Sequence, residues 1–189
     1  MGEYDGGFIE TERLILRPFK NSDACSLFEM TSDADVAHNA GWKPHADVWQ
    51  SERMIEQFKS RRVGCIWAIT QKNDGALAGF VALSNRSRLP VVNDAELGYA
   101  LAKCFWGHGY MTEAADAALG YGFDTLGFKT VVAAYYDGNE RSSRVLEKLG
   151  FSFIKRLIGC TVRYDGTVLN KNVYVLRKGE YMLSHKMTE

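Results

Sequence analysis

The chain has 189 residues, with 23 Lys+Arg against 23 Asp+Glu and 46% apolar residues, which describes one globular domain able to bury a substantial core. Balanced charge without a basic run argues against a protein that grips phosphate backbones, so nucleic acid is excluded as the main partner. No window approaches the ~18 uninterrupted apolar residues of a membrane span, and the start, Met1-Gly2-Glu3-Tyr4-Asp5-Gly6, is acidic where a signal peptide is basic then apolar.

Taken along the chain, residues 1–8 read as a flexible polar start, and Ile9 to Pro18 alternates loosely and ends at proline, as a first strand would. Asn21-Ser22-Asp23 offers helix caps ahead of Ala24 to Phe28. Asp47 to Arg62 places Val48, Met54, Ile55 and Phe58 near helical spacing and closes on Arg61-Arg62 and Gly64. Cys65–Thr70 and Ala76–Leu83 flank Asn73-Asp74-Gly75, a hairpin signal. Ala95–Ala102 is the next strand. Met111 to Leu126 is an amphipathic helix carrying Ala114, Ala115, Ala118, Leu119 and Phe123. Thr130–Tyr136 is a β-branched and aromatic strand, and Asn139–Leu149 a short helix ended by Gly150. The tail is expected to hold strands over 152–158, 160–164 and 172–177, with Asp165-Gly166 as a turn. No repeat or linker divides the chain, so the expectation is a single α+β domain over residues 1–189. At its centre is a parallel, right-handed strand–helix–strand unit that sets the loop 103–110 at the carboxyl end of its strand, where α/β sheets bind ligands.

Glycine is the unusual entry in the composition: 18 residues, eight of them within the 53 from Gly98 to Gly150. Gly107 and Gly109 lie in Trp106-Gly107-His108-Gly109-Tyr110-Met111-Thr112-Glu113-Ala114, where glycine lets successive backbone N–H groups turn toward one point and the helix start adds unpaired donors. Such a loop suits a pyrophosphate, or is simply a tight strand-to-helix turn. The dinucleotide fingerprint fails at Thr112, and a P-loop fails for want of Gly-Lys-Ser/Thr. A second segment, Asn139-Glu140-Arg141-Ser142-Ser143-Arg144-Val145-Leu146-Glu147-Lys148-Leu149-Gly150-Phe151, caps the helix after the next strand and so lies beside the loop; ordinary helix punctuation also accounts for it.

Together, W-G-x-G-Y-x-T-E-A at 106–114 and N-x-x-S-x-x-V-L-E-K-L-G-F at 139–151 resemble the GNAT superfamily of acyl-CoA-dependent N-acetyltransferases. T-E-R-L-I-L-R-P at 11–18 is similar to the RimJ/RimL-like branch, whose members acetylate protein N-termini or small amines. The resemblance spans nearly the whole chain. It implies a layered α/β/α fold with a central mixed, mostly antiparallel, twisted sheet of about seven strands, a splayed parallel central pair and about four flanking helices. It also implies acetyl-CoA as acyl donor. Backbone N–H groups across Trp106, Gly107, His108, Gly109, Tyr110, Met111 and Thr112 would hold the pyrophosphate, the backbones of Tyr99 and Leu101 the pantetheine amides, and Asn139 the pantetheine from the facing strand. Trp106 and Met111 stand where the superfamily's general loop has Gln/Arg and a small residue. Glu113, in the first helical turn, is expected to point sideways, away from phosphate.

Acyl transfer to an amine needs a neutral nucleophile and a protonated leaving thiolate. Glu96 is the candidate base, since strand alternation sets it on one face with Gly98 and Ala100 while Leu97, Tyr99 and Leu101 take the other; a salt-bridged sheet residue is the other reading. Ser142 matches the branch's serine as acid, with Tyr135 and Tyr136 as alternatives. An α-amine of pKa near 8 needs about 1.4 kcal/mol of help at pH 7 and a lysine roughly 4.6, which favours N-terminal or low-pKa amines.

His38 and His45 would line the acceptor pocket or lie at the surface, Trp49 and Trp67 belong to the core, and Arg86 and Arg88 would attract an acidic acceptor or be solvated. Cys25, Cys65, Cys104 and Cys160 show no C-x-x-C pair, so neither a metal site nor a disulfide framework is expected, and the thiols read as buried in a cytoplasmic protein. The acceptor would be set by 31–62, 84–94 and 159–171. The reading is therefore an enzyme joining acetyl-CoA to an amine acceptor, a protein N-terminus or a small amine, acting as monomer or homodimer without nucleic acid or membrane; the alternative is a non-catalytic acyl-CoA-binding module.

Overall fold

The computed structural model describes residues 7–60, 64–85 and 89–186, so most of the expected flexible start, the pair Arg61-Arg62 and both Arg86 and Arg88 lie outside the described residues. The described chain runs β1 (Ile9–Glu10), β2 (Leu14–Arg17), α1 (Ala24–Ser32), α2 (Ala34–Ala40), α3 (Val48–Lys59), β3 (Gly64–Gln71), β4 (Leu77–Ser84), β5 (Ala95–Leu101), α4 (Tyr110–Asp124), β6 (Thr130–Tyr136), α5 (Glu140–Lys148), β7 (Ser152–Val162), β8 (Val168–Arg177) and α6 (Lys178–Lys186). The strands form one sheet in the order β1-β2-β3-β4-β5-β6-β8-β7, antiparallel throughout except for the β5–β6 pair.

The layered α+β expectation holds, with four differences in detail. The first strand splits into the short hairpin β1–β2, because Thr11 turns the chain by bonding Leu14. The strands expected at 152–158 and 160–164 are one strand that shifts register between Leu157 and Thr161; Gly159 sits there at φ +58° and its N–H is held by Asn170 at 2.8 Å. The last strand starts at Val168 rather than Asn172. Gly64, read as a helix end, instead opens β3.

Two helices escape the periodicity. α2 is only seven residues, with Asp33 capping the N–H groups of Asp35 and Val36, and only Val36 and Ala37 of it are buried. α6 starts with Lys178-Gly179, and glycine in a first turn hides a helix. Its Tyr181 is buried against Phe123, with ring centroids 5.1 Å apart, and donates to the Asp116 carbonyl.

Alternation sorts the sheet into two faces. Leu97 and Leu101 join Met111, Ala114, Ala118, Leu119 and Phe123 of α4 in the larger core, while Ala100 and Phe80 pack with Leu27, Val36 and Ile55 of α1–α3. Gly120 and Gly122, costly inside a helix, permit close packing: a Cβ on Gly122 would lie 2.8 Å from Leu83, and one on Gly120 would lie 3.1 Å from the Tyr181 hydroxyl. Trp67 is fully buried as expected, but Trp49 is 56% exposed, its ring covered by Arg53. Only Cys65 of the four cysteines is buried; Cys25 on the outer face of α1, Cys104 in the loop after β5 and Cys160 on the exposed strand β7 are open to solvent. No helix among the described residues is long and apolar enough to cross a membrane.

The end of α6 is held by a titratable contact. Burial pulls the His185 imidazolium down, but hydrogen bonds to the Tyr181 carbonyl and to Asp116, with the latter's charge, outweigh it and hold the group above its ordinary value. A raised folded pKa means stability that is full below the unfolded pKa and lost as pH rises through the folded one. We expect the melting temperature to fall more between pH 6 and 8.5 for the natural chain than for His185→Gln. Parallel falls in the two would remove His185 from the account.

Candidate active site

The parallel pairing of β5 with β6 is short. Ala95, Glu96 and Leu97 face Val131, Val132 and Ala133, and beyond Leu97 the strands part. Ala102 donates to the Ala78 carbonyl at 2.9 Å, and alternation in the antiparallel β4–β5 ladder then turns the backbone groups of Ala100 and Gly98 toward β4 as well. The N–H and C=O groups of Tyr99 and Leu101 therefore face the gap. A pantetheine amide chain asks for such strand-like partners. The Leu101 carbonyl is partly taken, since the Trp106 indole donates to it at 2.9 Å.

A cleft of about 560 Å³ passes through this gap, bounded by β5, β6, the 105–112 loop, α5 and α2. Of the residues expected from sequence, Glu96, Tyr99, Leu101, Trp106, Gly107, Gly109, Tyr110, Met111, Thr112, Asn139 and Ser142 all line it. His108 does not. Its ring stacks on Tyr110 at 5.7 Å and its carbonyl accepts from Arg13, because an exposed loop crest turns its side chain outward.

The loop is built for backbone presentation. Gly107 and Gly109 hold φ of +84° and +79°, and Gly109 is the N-cap of α4. The helical ladder begins with Glu113 donating to Gly109, so the N–H groups of Tyr110, Met111 and Thr112 precede it, and no side chain caps them. Met111, bulky for its place, is turned into the core and buried. Glu113 points sideways as expected, accepting from Thr11 and from both the backbone and the guanidinium of Arg13. Burial pushes its carboxyl up, but these donors outweigh that and hold it below its ordinary value. Arg13 also lies 4.8 Å over the Tyr110 ring, so the β1–β2 hairpin fixes the loop.

On the far bank, Asn139 is an N-cap whose oxygen accepts from Ser142 N–H at 3.1 Å and whose amide donates to the Asn39 carbonyl at 3.3 Å. Helix punctuation is thus part of its role, and its free capacity toward a pantetheine is smaller than expected. Arg141, Arg144 and Lys148 of α5 also line the cleft, with Arg141 lying 4.4 Å over the Trp106 ring. Their spacing of three and four sets them on one basic helix face, a pattern visible in the sequence around the Ser142 motif. Positive charge there suits phosphates.

Glu96 shares its face with Gly98 and Ala100, and a Cβ on Gly98 would meet nothing within 4 Å, which leaves open space beside the carboxylate. The Glu96 side chain makes no hydrogen bond or ion pair among the described residues, so the salt-bridge reading has no partner there. Ser142 lies across the gap, its carbonyl accepting from the Tyr99 hydroxyl at 3.4 Å; burial pushes that phenol up to about 12. Tyr135 spends its hydroxyl on Ser143, which donates to Glu147, while Tyr136 packs on Gly41, where a Cβ would come within 2.4 Å of its ring.

The other polar candidates are structural. His38 bonds Arg163, and His45 bonds Thr31 and Ser51 with its imidazolium disfavoured by burial. Trp42, between them in sequence, does line the cleft; it stacks on Phe80, and its indole nitrogen is buried without a partner among the described residues. Of the segments expected to set the acceptor, 31–62 contributes Val36, Asn39, Ala40 and Trp42, and 159–171 contributes Lys171. Among the described residues, no group of three or more His, Cys, Asp or Glu could hold a metal ion.

Comparison with known proteins agrees with this geometry. A family model described as "Acetyltransferase (GNAT) domain" matches residues 13–152. An "Uncharacterized N-acetyltransferase YoaA" of Bacillus subtilis is 30% identical over 176 residues, covering 90% of this chain and 96% of that protein. The "[Ribosomal protein uS5]-alanine N-acetyltransferase" of Escherichia coli is 26% identical over 151 residues, covering 76% and 77%. Among solved structures, a GNAT-family acetyltransferase from Bacillus anthracis superposes with a TM-score of 0.81 at 22% identity, over 92% of this chain and all of that one.

Proposed function

Given that the chain belongs to the GNAT family of N-acetyltransferases, we propose that it moves an acetyl group from acetyl-CoA to a primary amine by direct attack within a ternary complex. The observation that carries this is the gap beyond Leu97, where free strand backbone, the uncapped α4 start and the Glu96 carboxylate open into one cleft. Acetyl-CoA supplies the activated acyl group. The N–H groups of Gly107 to Thr112 would hold its pyrophosphate, Tyr99 and Leu101 its amides, and Arg144 and Lys148 its outer phosphates. Glu96 takes a proton from the acceptor ammonium, directly or through one water. The neutral nitrogen forms the C–N bond as the C–S bond breaks; Ser142 protonates the departing thiolate and is itself reprotonated, through water, by the proton the new amide nitrogen sheds. One carboxylate suits an α-amine better than a lysine side chain, by the roughly 3 kcal/mol that separates their deprotonation costs at pH 7.

The placement is within the RimJ/RimL-like branch, with all 189 residues serving one cytoplasmic catalytic domain; the Escherichia coli relative supports the branch. Incubation with acetyl-CoA and a panel of N-terminal peptides and small amines, followed by thiol release and mass spectrometry of the products, tests the reading. Saturable CoA binding with no product from any acceptor would select the non-catalytic module instead.

A further inference from the structure

Lys171 of β8 stands directly opposite Tyr136 of β6, so the two share a face of the sheet. That face is also the one of Ala134, Val132 and, across the parallel pair, Glu96. It is the side covered by α2, where Trp42 lies, and it is opposite the side of Tyr99, α4 and the Arg144 face of α5. The cleft's cations are thus divided. Arg144 and Lys148 stand on the α5 face and Arg141 lies over the Trp106 ring, close enough to Asp35 of α2 to help Lys103 lower its carboxyl, whereas Lys171 stands on β8 with the Glu96 face.

The charge of Lys171 is also left over. It is half-buried, and its ammonium lies 5.1 Å from the Tyr136 ring centroid, a contact that orients a cation without neutralising it. Asp137, the carboxylate nearest in sequence to Tyr136, is saturated by Arg156, Asn170 and Asn172. Lys171 has no carboxylate partner among the described residues. A half-buried cation that no carboxylate pairs among the described residues, on the wall of the cleft and four strand positions along the same face from Glu96, is a recognition group for an anion.

We infer that Lys171 binds a carboxylate of the acceptor while Glu96 addresses its amine, so that the preferred acceptors are amines that also carry an anionic group. This rests on the acetyl-transfer reading above. The shared chemistry, an amine and a carboxylate in one acceptor, has two sources: a free amino acid, or a peptide N-terminus with Asp or Glu near its start.

The test compares kcat/KM for matched pairs: an amino acid against its amide, and a peptide with Asp at its second position against the same peptide with Asn. The natural chain should favour the anionic member of at least one pair by about tenfold, and the pair that shows the preference identifies the source. Lys171→Met should bring that ratio close to one through the acceptor KM, and Lys171→Arg should restore most of it. Calorimetric binding of the anionic acceptor to the protein–CoA complex, with the same variants, reads the contact without turnover. A preference that survives Lys171→Met, or no preference in the natural chain, overturns the inference. So does a Lys171→Met effect on the KM of acetyl-CoA alone, which would hand the ammonium to the donor's phosphates. Lys171-dependent binding of the anionic ligand without product would leave this inference standing and reject the catalytic reading.

Discussion

Glu96→Gln should lower kcat/KM for acetyl transfer at pH 7 by about 10²- to 10⁴-fold while leaving the affinity for CoA within about twofold, the span expected when a general base is replaced by an isostere that cannot accept a proton. The substitution keeps the shape of β5, where Glu96 sits one residue before the ladder to β6 ends, so the fold has little reason to change. The deficit should depend on pH. As the acceptor amine loses its proton in solution, the variant needs no base, and its rate should climb toward that of the natural chain between pH 7 and 10. A deficit below about fivefold at every pH would mean that Glu96 is only a strand residue beside a cavity. The open space over Gly98 argues against that: a residue kept for packing would have neighbours to pack on, and a Cβ at Gly98 finds none within 4 Å.

The elements that make the site were legible because each carries its own local signal. Gly107 and Gly109 announced a backbone at positive φ, the Ala-rich stripe from Ala114 announced a helix pressed on a sheet, and Asn139 announced a cap. The acceptor wall was not legible, because α2 is too short for periodicity and owes its place to tertiary ties. Asn39 receives the Asn139 amide, Asp35 pairs with Lys103 at 2.5 Å, and Gly41 folds under Tyr136. None of those partners is within 60 residues in sequence. The same distance hid the role of Lys171, which becomes a cleft residue only through the register that sets it against Tyr136. His38 and Trp42 show the converse: both lie in the 31–62 stretch expected to set the acceptor, and the helix turn between them sends Trp42 to the cleft and His38 to the Arg163 side of α2.

Gly109→Val tests the donor loop. A Cβ at Gly109 would meet only the end of the Arg13 side chain, at 3.5 Å, so the cost is not a clash; it is the φ of +79°, which a β-branched residue resists. Strain of that kind is worth roughly 1–3 kcal/mol, and for a chain of this length it should lower the melting temperature by roughly 2–12 °C. The easiest relief is to rotate Gly109 out of the left-handed region, and that moves the N–H groups of Tyr110 and Met111, which no side chain caps, off their common point. Losing one hydrogen bond to a charged phosphate costs about 1.5–3 kcal/mol, so CoA should bind about 10- to 100-fold more weakly by calorimetry. Gly109→Asn separates the two effects, because asparagine visits the left-handed region with little penalty and should recover most of both losses. If Gly109→Val lowers the melting temperature yet binds CoA as tightly as the natural chain, the loop is a tight strand-to-helix turn and the pyrophosphate lies elsewhere.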